Sequence, residues 1–422
     1  MNGPSTKTRR VVVTGLGLLS PLGDSVEVLL DALDSGREGL RRELPFASRG
    51  EGAESLPATP AGWLDFQPRD YLPEGNLRPL DRTGQFAVAA SQLALAKAGV
   101  DEAQREDREA GLVLGTMYGS VHTIAAFDHR ALEAGPKYVK PFDFANSVIN
   151  AAAGQTAIWH RLPGINSTVT GGPTAGLQAI AYAADAIRWG RAELLLAGGA
   201  EELCFESYLS FSRSGLLAGS RNGGPPRPVP FGQGRNGLAL GEGACLLVLE
   251  ERERALERGA SILAEILGHA TTFDVSRGKD RATAAQAMAA TVGGALSESG
   301  ATGEQVAAVS TGANGSPGAD LHEAEGIVQA LGRGDVPVAA VKGQLGESLG
   351  AGAAMAAAVL IESLRNRRLP GIRGLDEVDR EIPFQSLVSG SQDLEANGLG
   401  LVTSTGFDGN VSALVLKAEE ST

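Results

Sequence analysis

Residues 166–201 read NSTVTGGPTAGLQAIAYAADAIRWGRAELLLAGGAE, and the rest of the chain is organised around them. The alternating, β-branched residues 167–170 predict a buried strand, which ends in the tight Gly-Gly-Pro turn at residues 171–173. Apolar residues then recur at helical spacing over residues 174–187 and predict an amphipathic helix. A second buried strand is predicted at residues 194–197, so the stretch indicates a strand–turn–helix–strand unit of an α/β protein.

The turn of such a unit is where a protein can present a reactive group. The first N–H groups of the helix and the helix dipole stabilise an anion there, so a Cys or Ser at the tip could attack acyl carbonyls. Here the tip is Pro173, which has neither a nucleophilic atom nor an N–H group. Proline also suits the first turn of a helix, so Pro173 is equally consistent with a well-built helix start.

This stretch resembles the nucleophile elbow of the β-ketoacyl-acyl-carrier-protein synthases of the thiolase superfamily. In that family a catalytic Cys follows a strand and begins a long helix that leads to a Gly-Gly-Ala-Glu strand end. Counting back from that motif at residues 198–201 places the family's Cys on Pro173. The resemblance extends over nearly the whole chain. It implies a thiolase-like α/β fold with a duplicated five-layer αβαβα architecture.

The length of the chain agrees with a duplicated fold. With 422 residues it exceeds what one hydrophobic core normally holds, so two domains or a fused pair of similar halves are expected. Strand–turn–helix units predicted around residues 306–317 and 336–364 repeat the plan of the first half. We expect an N-terminal thiolase-like half at residues 1–250 and a C-terminal thiolase-like half at residues 251–422.

Composition and charge exclude several classes of function. A hydrophobic content of 43% and a charged content of 21% are those of an ordinary globular protein, and the net charge of −13 argues against nucleic acid and anionic membranes as partners. An acidic carrier protein would need only a local basic patch. Cys204 and Cys245 lack metal-ligand spacing and are expected to be core thiols, so we predict no metal and no cofactor. No secretion signal or bilayer-length apolar run is recognised, which predicts a cytoplasmic protein.

The condensation chemistry of the family needs a thiolate and two neutral imidazoles that stabilise enolate charge. The resemblance places the first His at Gly312, in the turn GANGSPGADLHEAE, and the second at Glu347, in the turn KGQLGESLGAG. Pro173, Gly312 and Glu347 are therefore degenerate positions, and condensation by this chain alone is excluded. The family's neighbouring residues are retained as Asp320, Glu323 and Lys342. We predict that Lys342 pairs with Glu347, because a buried carboxylate needs a partner.

Two further segments resemble parts of the family's acyl tunnel. Residues 115–134 match the segment that runs along the dimer interface and crosses the bottom of the partner's tunnel. The candidate tunnel residues there are Tyr118, Val121, His122, Ile124 and Ala125; interface packing alone is the alternative. The C-terminal segment TSTGFDGNVSALVLK resembles the gating loop, with Phe407 at the position of the gating Phe and Asp408 replacing a Gly.

This pattern of loss resembles the chain-length factors, or ketosynthase β subunits, of type II polyketide and polyene synthases. The resemblance implies a heterodimer with an active ketosynthase α subunit, which meets the acyl carrier protein as part of the complex. The strand at residues 166–170 and the segment 115–134 would form the interface. Two alternatives stay open, a homodimeric scaffolding or binding protein of the thiolase fold and an acyl-thioester enzyme with relocated catalytic groups. His322 is expected to be a solvent-exposed helical residue and not a replacement base.

Overall fold

The computed structural model describes residues 9–46, 59–220 and 226–419 of the chain. The strands are β1 (Val11–Leu19), β2 (Leu40–Arg41), β3 (Ala61–Gly62), β4 (Gly111–Gly115), β5 (Asn166–Val169), β6 (Leu194–Glu201), β7 (Gly243–Glu251), β8 (Ala264–Phe273), β9 (Val306–Ser310), β10 (Val338–Ala339), β11 (Arg368–Leu369), β12 (Gln392–Asp393), β13 (Leu399–Thr405) and β14 (Asn410–Ala418). The helices are α1 (Val26–Asp34), α2 (Pro68–Tyr71), α3 (Arg82–Ala98), α4 (Glu102–Asp107), α5 (Val121–Ala134), α6 (Pro141–Ala145), α7 (Ala151–His160), α8 (Ala175–Arg188), α9 (Phe205–Arg213), α10 (Arg252–Glu257), α11 (Arg281–Ser299), α12 (Pro317–Leu331), α13 (Lys342–Leu345) and α14 (Gly352–Arg365).

Ten of these strands form one sheet in the order β10-β9-β13-β14-β8-β1-β7-β6-β4-β5. The short pairing of β1 with β8, through residues 11–13 and 264–266, joins two five-stranded parts. From that junction outward, each part has two antiparallel pairings followed by two parallel pairings. The strands correspond in chain order, with β1, β4, β5, β6 and β7 matching β8, β9, β10, β13 and β14. The predicted duplicated α/β architecture is therefore confirmed.

Helices pack on both sides of each five-stranded part. The buried helices α8 and α14 contact each other and lie between the two parts, in a core rich in Ala, Leu, Ile and Val. On the outer faces, α3 and α7 cover the first part and α11 and α12 cover the second. This arrangement gives five alternating layers of helix and sheet. The placement of the boundary between the halves at residue 250 stays a prediction.

The central stretch folds as a strand, a turn, a helix and a strand, with one difference from expectation. The helix α8 ends at Trp189 as its C-cap, and β6 is buried along its whole length, as predicted. The strand β5, in contrast, is not buried: Asn166 is exposed and the other three residues are half-buried. The expectation was wrong because β5 pairs only with β4 and is the edge strand of the ten-stranded sheet.

Glycines in the first strand allow a close contact between layers. Gly17 lies inside β1, where a Cβ atom would come within 1.9 Å of the backbone oxygen of Ala90 in α3. The helix backbone can therefore approach the strand only because no side chain is present. Among the described helices, none combines the length and apolar character required to cross a membrane.

Candidate functional site

The tip of the elbow is closed by backbone and side-chain contacts. After β5, Gly172 takes a left-handed conformation with φ of +58°, and Pro173 begins the turn into α8. Pro173 is buried, and its carbonyl oxygen accepts a hydrogen bond of 3.1 Å from Ser404 Oγ. The structure therefore places a buried proline at the point where the elbow would carry a nucleophile. A hydrogen bond holds this proline against the strand β13.

Glu347 belongs to a fully buried polar network. Its Oε2 atom accepts hydrogen bonds from Lys342 Nζ at 2.8 Å and from Asn314 Nδ2 at 2.9 Å. Its Oε1 atom accepts from the backbone N–H of Leu349 at 3.2 Å. The predicted pairing of Lys342 with Glu347 is confirmed. Because both carboxylate oxygens already accept hydrogen bonds inside the buried network, Glu347 does not replace the hydrogen-bond donor that the family's imidazole would supply.

Gly312 lies beside the second retained acid. Its backbone N–H donates to Glu323 Oε1 at 2.8 Å, and Thr403 Oγ1 donates to the same oxygen at 2.7 Å. Glu323 Oε2 is buried and has no hydrogen-bond partner among the described residues. Burial raises the pKa of Glu323 to about 7, although the two hydrogen bonds oppose the rise. A Cβ atom at Gly312 would lie 3.0 Å from Ser404 Cα, so a side chain there requires the strand β13 to move.

Asp320 fixes the backbone of the turn that carries Gly312. Its carboxylate accepts hydrogen bonds from the backbone N–H groups of Phe231 and Asn314, both at 3.0 Å, and of Gly315 at 3.2 Å. Burial raises the pKa of Asp320 to about 6, and these backbone hydrogen bonds oppose the rise. The retained Asp320 therefore has a structural role, because its carboxylate holds three backbone N–H groups in place.

A cavity of about 720 Å³ opens next to this turn, between the loop after β8, the start of α12 and the loop joining β13 to β14. Glu323, Asn314, His322 and Phe407 line it, whereas Pro173, Gly312 and Glu347 do not. The three degenerate positions are thus close in the fold but are not brought into one open site. His322 lies on α12 in the cavity wall, where its side chain is partly exposed, and burial lowers its pKa.

The candidate tunnel residues divide into two groups. Tyr118 and Phe407 pack against the same apolar cluster, in which the rings of Phe407 and Phe211 meet edge to face at 5.4 Å. The remaining four, on α5, lie outside the cavity and are only half-buried or exposed. They are Val121, His122, Ile124 and Ala125. Their assignment to a tunnel therefore stays a prediction.

The edge strand β5 has exposed apolar residues on both sides. Ile158 on α7 is 74% exposed and Tyr182 on α8 is 49% exposed, and both helices pack on β5. The segment after α5 adds five large apolar side chains that the sequence analysis did not single out. They are Tyr138, Phe142, Phe144, Val148 and Ile149. Exposed apolar surface of this extent next to an unpaired strand edge is typical of a protein–protein contact.

Glu201, the last residue of β6, holds the segment that leads into α5. The fully buried Glu201 accepts hydrogen bonds from the backbone N–H groups of Met117, Tyr118 and Gly350 at 2.6, 2.9 and 3.1 Å. Burial raises the pKa of Glu201 to about 7, and those hydrogen bonds oppose the rise. The sequence analysis used this Glu only as a motif landmark. Nothing in the local pattern showed that it joins residues from three distant segments.

Within the described ranges, three side chains of the types that commonly bind metal ions lie close together. Ligand atoms of Asp185, His269 and Glu298 lie within 4.8 Å of one another. The Arg188 guanidinium donates to Glu298 at 2.7 Å and lies 3.6 Å from Asp185. The Arg188 guanidinium therefore supplies the positive charge next to these carboxylates, and the group is an ion-pair cluster of protein side chains.

Comparison with known proteins identifies relatives over nearly the full length. The β-ketoacyl synthase N-terminal domain matches residues 8–255, and the C-terminal domain of the same family matches residues 263–376. The 3-oxoacyl-[acyl-carrier-protein] synthase 2 of Vibrio harveyi is 31% identical over 418 residues, which are 97% of this chain and 98% of that protein.

Two solved structures are also similar along the whole chain. One, described as the ishigamide ketosynthase/chain length factor, has a TM-score of 0.86 and 30% identity, and the match covers 98% of this chain and all of that one (100%). The other, described as a type II PKS acyl-carrier protein in complex with its ketosynthase bound to the hexaketide, has a TM-score of 0.87 and 26% identity, with the same coverage of 98% and 100%.

Proposed function

The chain belongs to the β-ketoacyl synthase family, and we propose that within this family it is a non-catalytic chain-length factor paired with an active ketosynthase α subunit. The observation that carries the proposal is Pro173, buried at the tip of an otherwise intact elbow. A proline cannot form a thioester, so the growing acyl chain has to be carried by the partner.

The surroundings of the other degenerate positions support the same proposal. Condensation requires two neutral donors near the carbonyl of the extender unit. Glu347 is committed to Lys342 and Asn314, and Gly312 has no side chain. Each replacement removes a donor, and neither supplies another group that could do the same chemistry.

The exposed surface supports a role in assembly. The edge of β5 leaves backbone groups unpaired, and Ile158 and Tyr182 flank it. A subunit of similar fold could extend the sheet at β5 and cover these side chains. Obligate interfaces of this kind bury more than about 2,000 Å². A ketosynthase α subunit fits this role because a ketosynthase/chain length factor is among the similar structures.

In the complex, this chain would supply interface surface and the floor of the partner's acyl tunnel during elongation of a polyketide, polyene or fatty-acid-like chain. The acyl carrier protein would meet the complex as a whole, as a carrier protein does with its ketosynthase in one similar structure. Residues of α5 would then lie across the end of the tunnel, with Ile124 as the principal contact.

Co-expression with a ketosynthase that carries the Cys-His-His set, sought first among the genes adjacent to this one, tests the proposal. We expect one stable complex with one copy of each subunit, seen by size-exclusion chromatography and native mass spectrometry. We also expect condensation only when both subunits are present. Two separate homodimers, or a homodimer of this chain that condenses or hydrolyses acyl thioesters alone, would contradict it.

A further inference from the structure

The helix α5 has an unusual attachment to the rest of the chain. None of its 14 residues is buried, and Ser120 at its N-cap makes no side-chain capping hydrogen bond. Its helical neighbours are the short α6 and α9. Burial of apolar side chains normally fixes the position of a helix, so in α5 polar contacts at the first turn have to contribute much of the restraint.

Those contacts converge on His122. Its backbone N–H donates to Glu202 Oε1 at 3.4 Å, and its ring Nδ1 lies 3.1 and 3.2 Å from the two carboxylate oxygens of Glu206. Glu202 follows β6 directly, and Glu206 lies in the first turn of α9. One acid next to the buried strand β6 and one acid on α9 therefore contact the first turn of α5.

The pKa values of the two acids are shifted in opposite directions. Burial raises the pKa of Glu202 well above its usual range, and repulsion by Asp81, Glu242 and Glu201 raises it further. For Glu206, burial raises the pKa, but the hydrogen bonds that its carboxylate accepts and the attraction of His122 together lower it by more, so the net shift is downward. Glu202 thus contacts the backbone N–H of His122, whereas Glu206 contacts its imidazole ring.

We propose that Glu202 and Glu206 are positioning residues that fix α5 through His122, and that the position of α5 fixed in this way sets product length in the partner's tunnel. The second part rests on the proposed function, whereas the first part concerns this chain alone. Ile124 follows His122 by two residues, so a tilt at the first turn moves it. Each two-carbon unit extends a chain by about 2.5 Å, so a small displacement of α5 changes the available length by one unit.

Hydrogen exchange of the isolated chain tests the first part. In Glu206→Ala, amides of α5 should exchange about fivefold faster, which is the effect of losing one partly exposed ion pair. Glu133→Ala is the matched control, because it removes a His–Glu pair of 3.1 Å with His129 that lies wholly within α5. Glu133→Ala should leave the exchange rates of amides in the first turn of α5 nearly unchanged. Equal exchange in Glu206→Ala and the parent would overturn the positioning role.

Product lengths from the reconstituted pair test the second part. Glu206→Ala and Glu202→Ala should broaden the length distribution with the complex intact, whereas the neutral Glu202→Gln and the control Glu133→Ala should preserve it. Unchanged lengths in both alanine variants, in a complex where Ile124→Trp does shift length, would overturn this inference and leave the proposed function standing. If the parent chain formed no complex with a ketosynthase, the proposed function would fail, and the exchange result would still decide the positioning role.

Discussion

Replacing Glu347 by His, the residue that the family resemblance places at this position, should destabilise the chain without making it active. The Lys342 side chain is 2% exposed and that of Glu347 is fully buried, with the ammonium and carboxylate 2.8 Å apart. The Glu347→His substitution leaves a buried ammonium without its counter-charge and also removes the acceptor for Asn314.

The expected loss is large because both partners lie in the core. Breaking a buried ion pair by removing one partner costs about 3–5 kcal/mol, whereas replacing both partners by apolar residues is often neutral. We therefore expect the unfolding free energy of Glu347→His to fall by about 3–5 kcal/mol. The double variant Lys342→Met/Glu347→Leu should recover most of that loss.

Thermal and urea unfolding of the purified single and double variants measures this effect. Size-exclusion chromatography on the same samples separates loss of stability from aggregation. A Glu347→His variant as stable as the parent would refute the reasoning. So would a double variant that is less stable than Glu347→His, because the ammonium would then not be the source of the cost.

Three other outcomes follow from the same geometry. Pro173→Cys should leave the isolated chain unable to condense acyl and malonyl thioesters, because Gly312 supplies no donor; measurable ketoacyl product would contradict this. Burial raises the pKa of Glu201 and of Glu323 to about 7 from an unfolded value of 4.5. Between these two pH values the folded state therefore binds more protons than the unfolded state. Stability should therefore fall as pH rises from about 4.5 to about 7, by roughly 3 kcal/mol for each group, and urea unfolding that showed stability rising across this window would be the opposite result. In the reconstituted pair, Ile124→Trp should shorten products by about one or two two-carbon units and Ile124→Ala should lengthen or broaden them, since each unit spans about 2.5 Å; mass spectrometry showing unchanged lengths in both would remove α5 from the tunnel.

Local patterns in the sequence identified most of the architecture. The helix α8 and the strand β6 follow from their apolar spacing, because each buries its apolar residues against neighbours in the way that its periodicity indicates. The pairing of Lys342 with Glu347 was also accessible, since the two residues lie five positions apart in one turn. Features that depend on neighbours close in sequence were therefore predictable.

Features that depend on distant segments were not. The strand β5 has the composition of a buried strand, but its place at the sheet edge is set by the order of the other strands. The tethering of residues 117–119 and Gly350 by Glu201 joins segments far apart in the chain. The weak burial of α5 likewise depends on a surface that the sequence alone does not assemble.

The central claim is that this chain shapes a reaction whose covalent chemistry takes place on its partner. Intact-mass spectrometry of both subunits, after incubation of the reconstituted pair with an acyl donor, tests it directly. The account predicts that the ketosynthase α subunit gains the mass of one acyl group while this chain, with Pro173 at its elbow, keeps its unmodified mass. An acyl adduct on this chain would contradict the account.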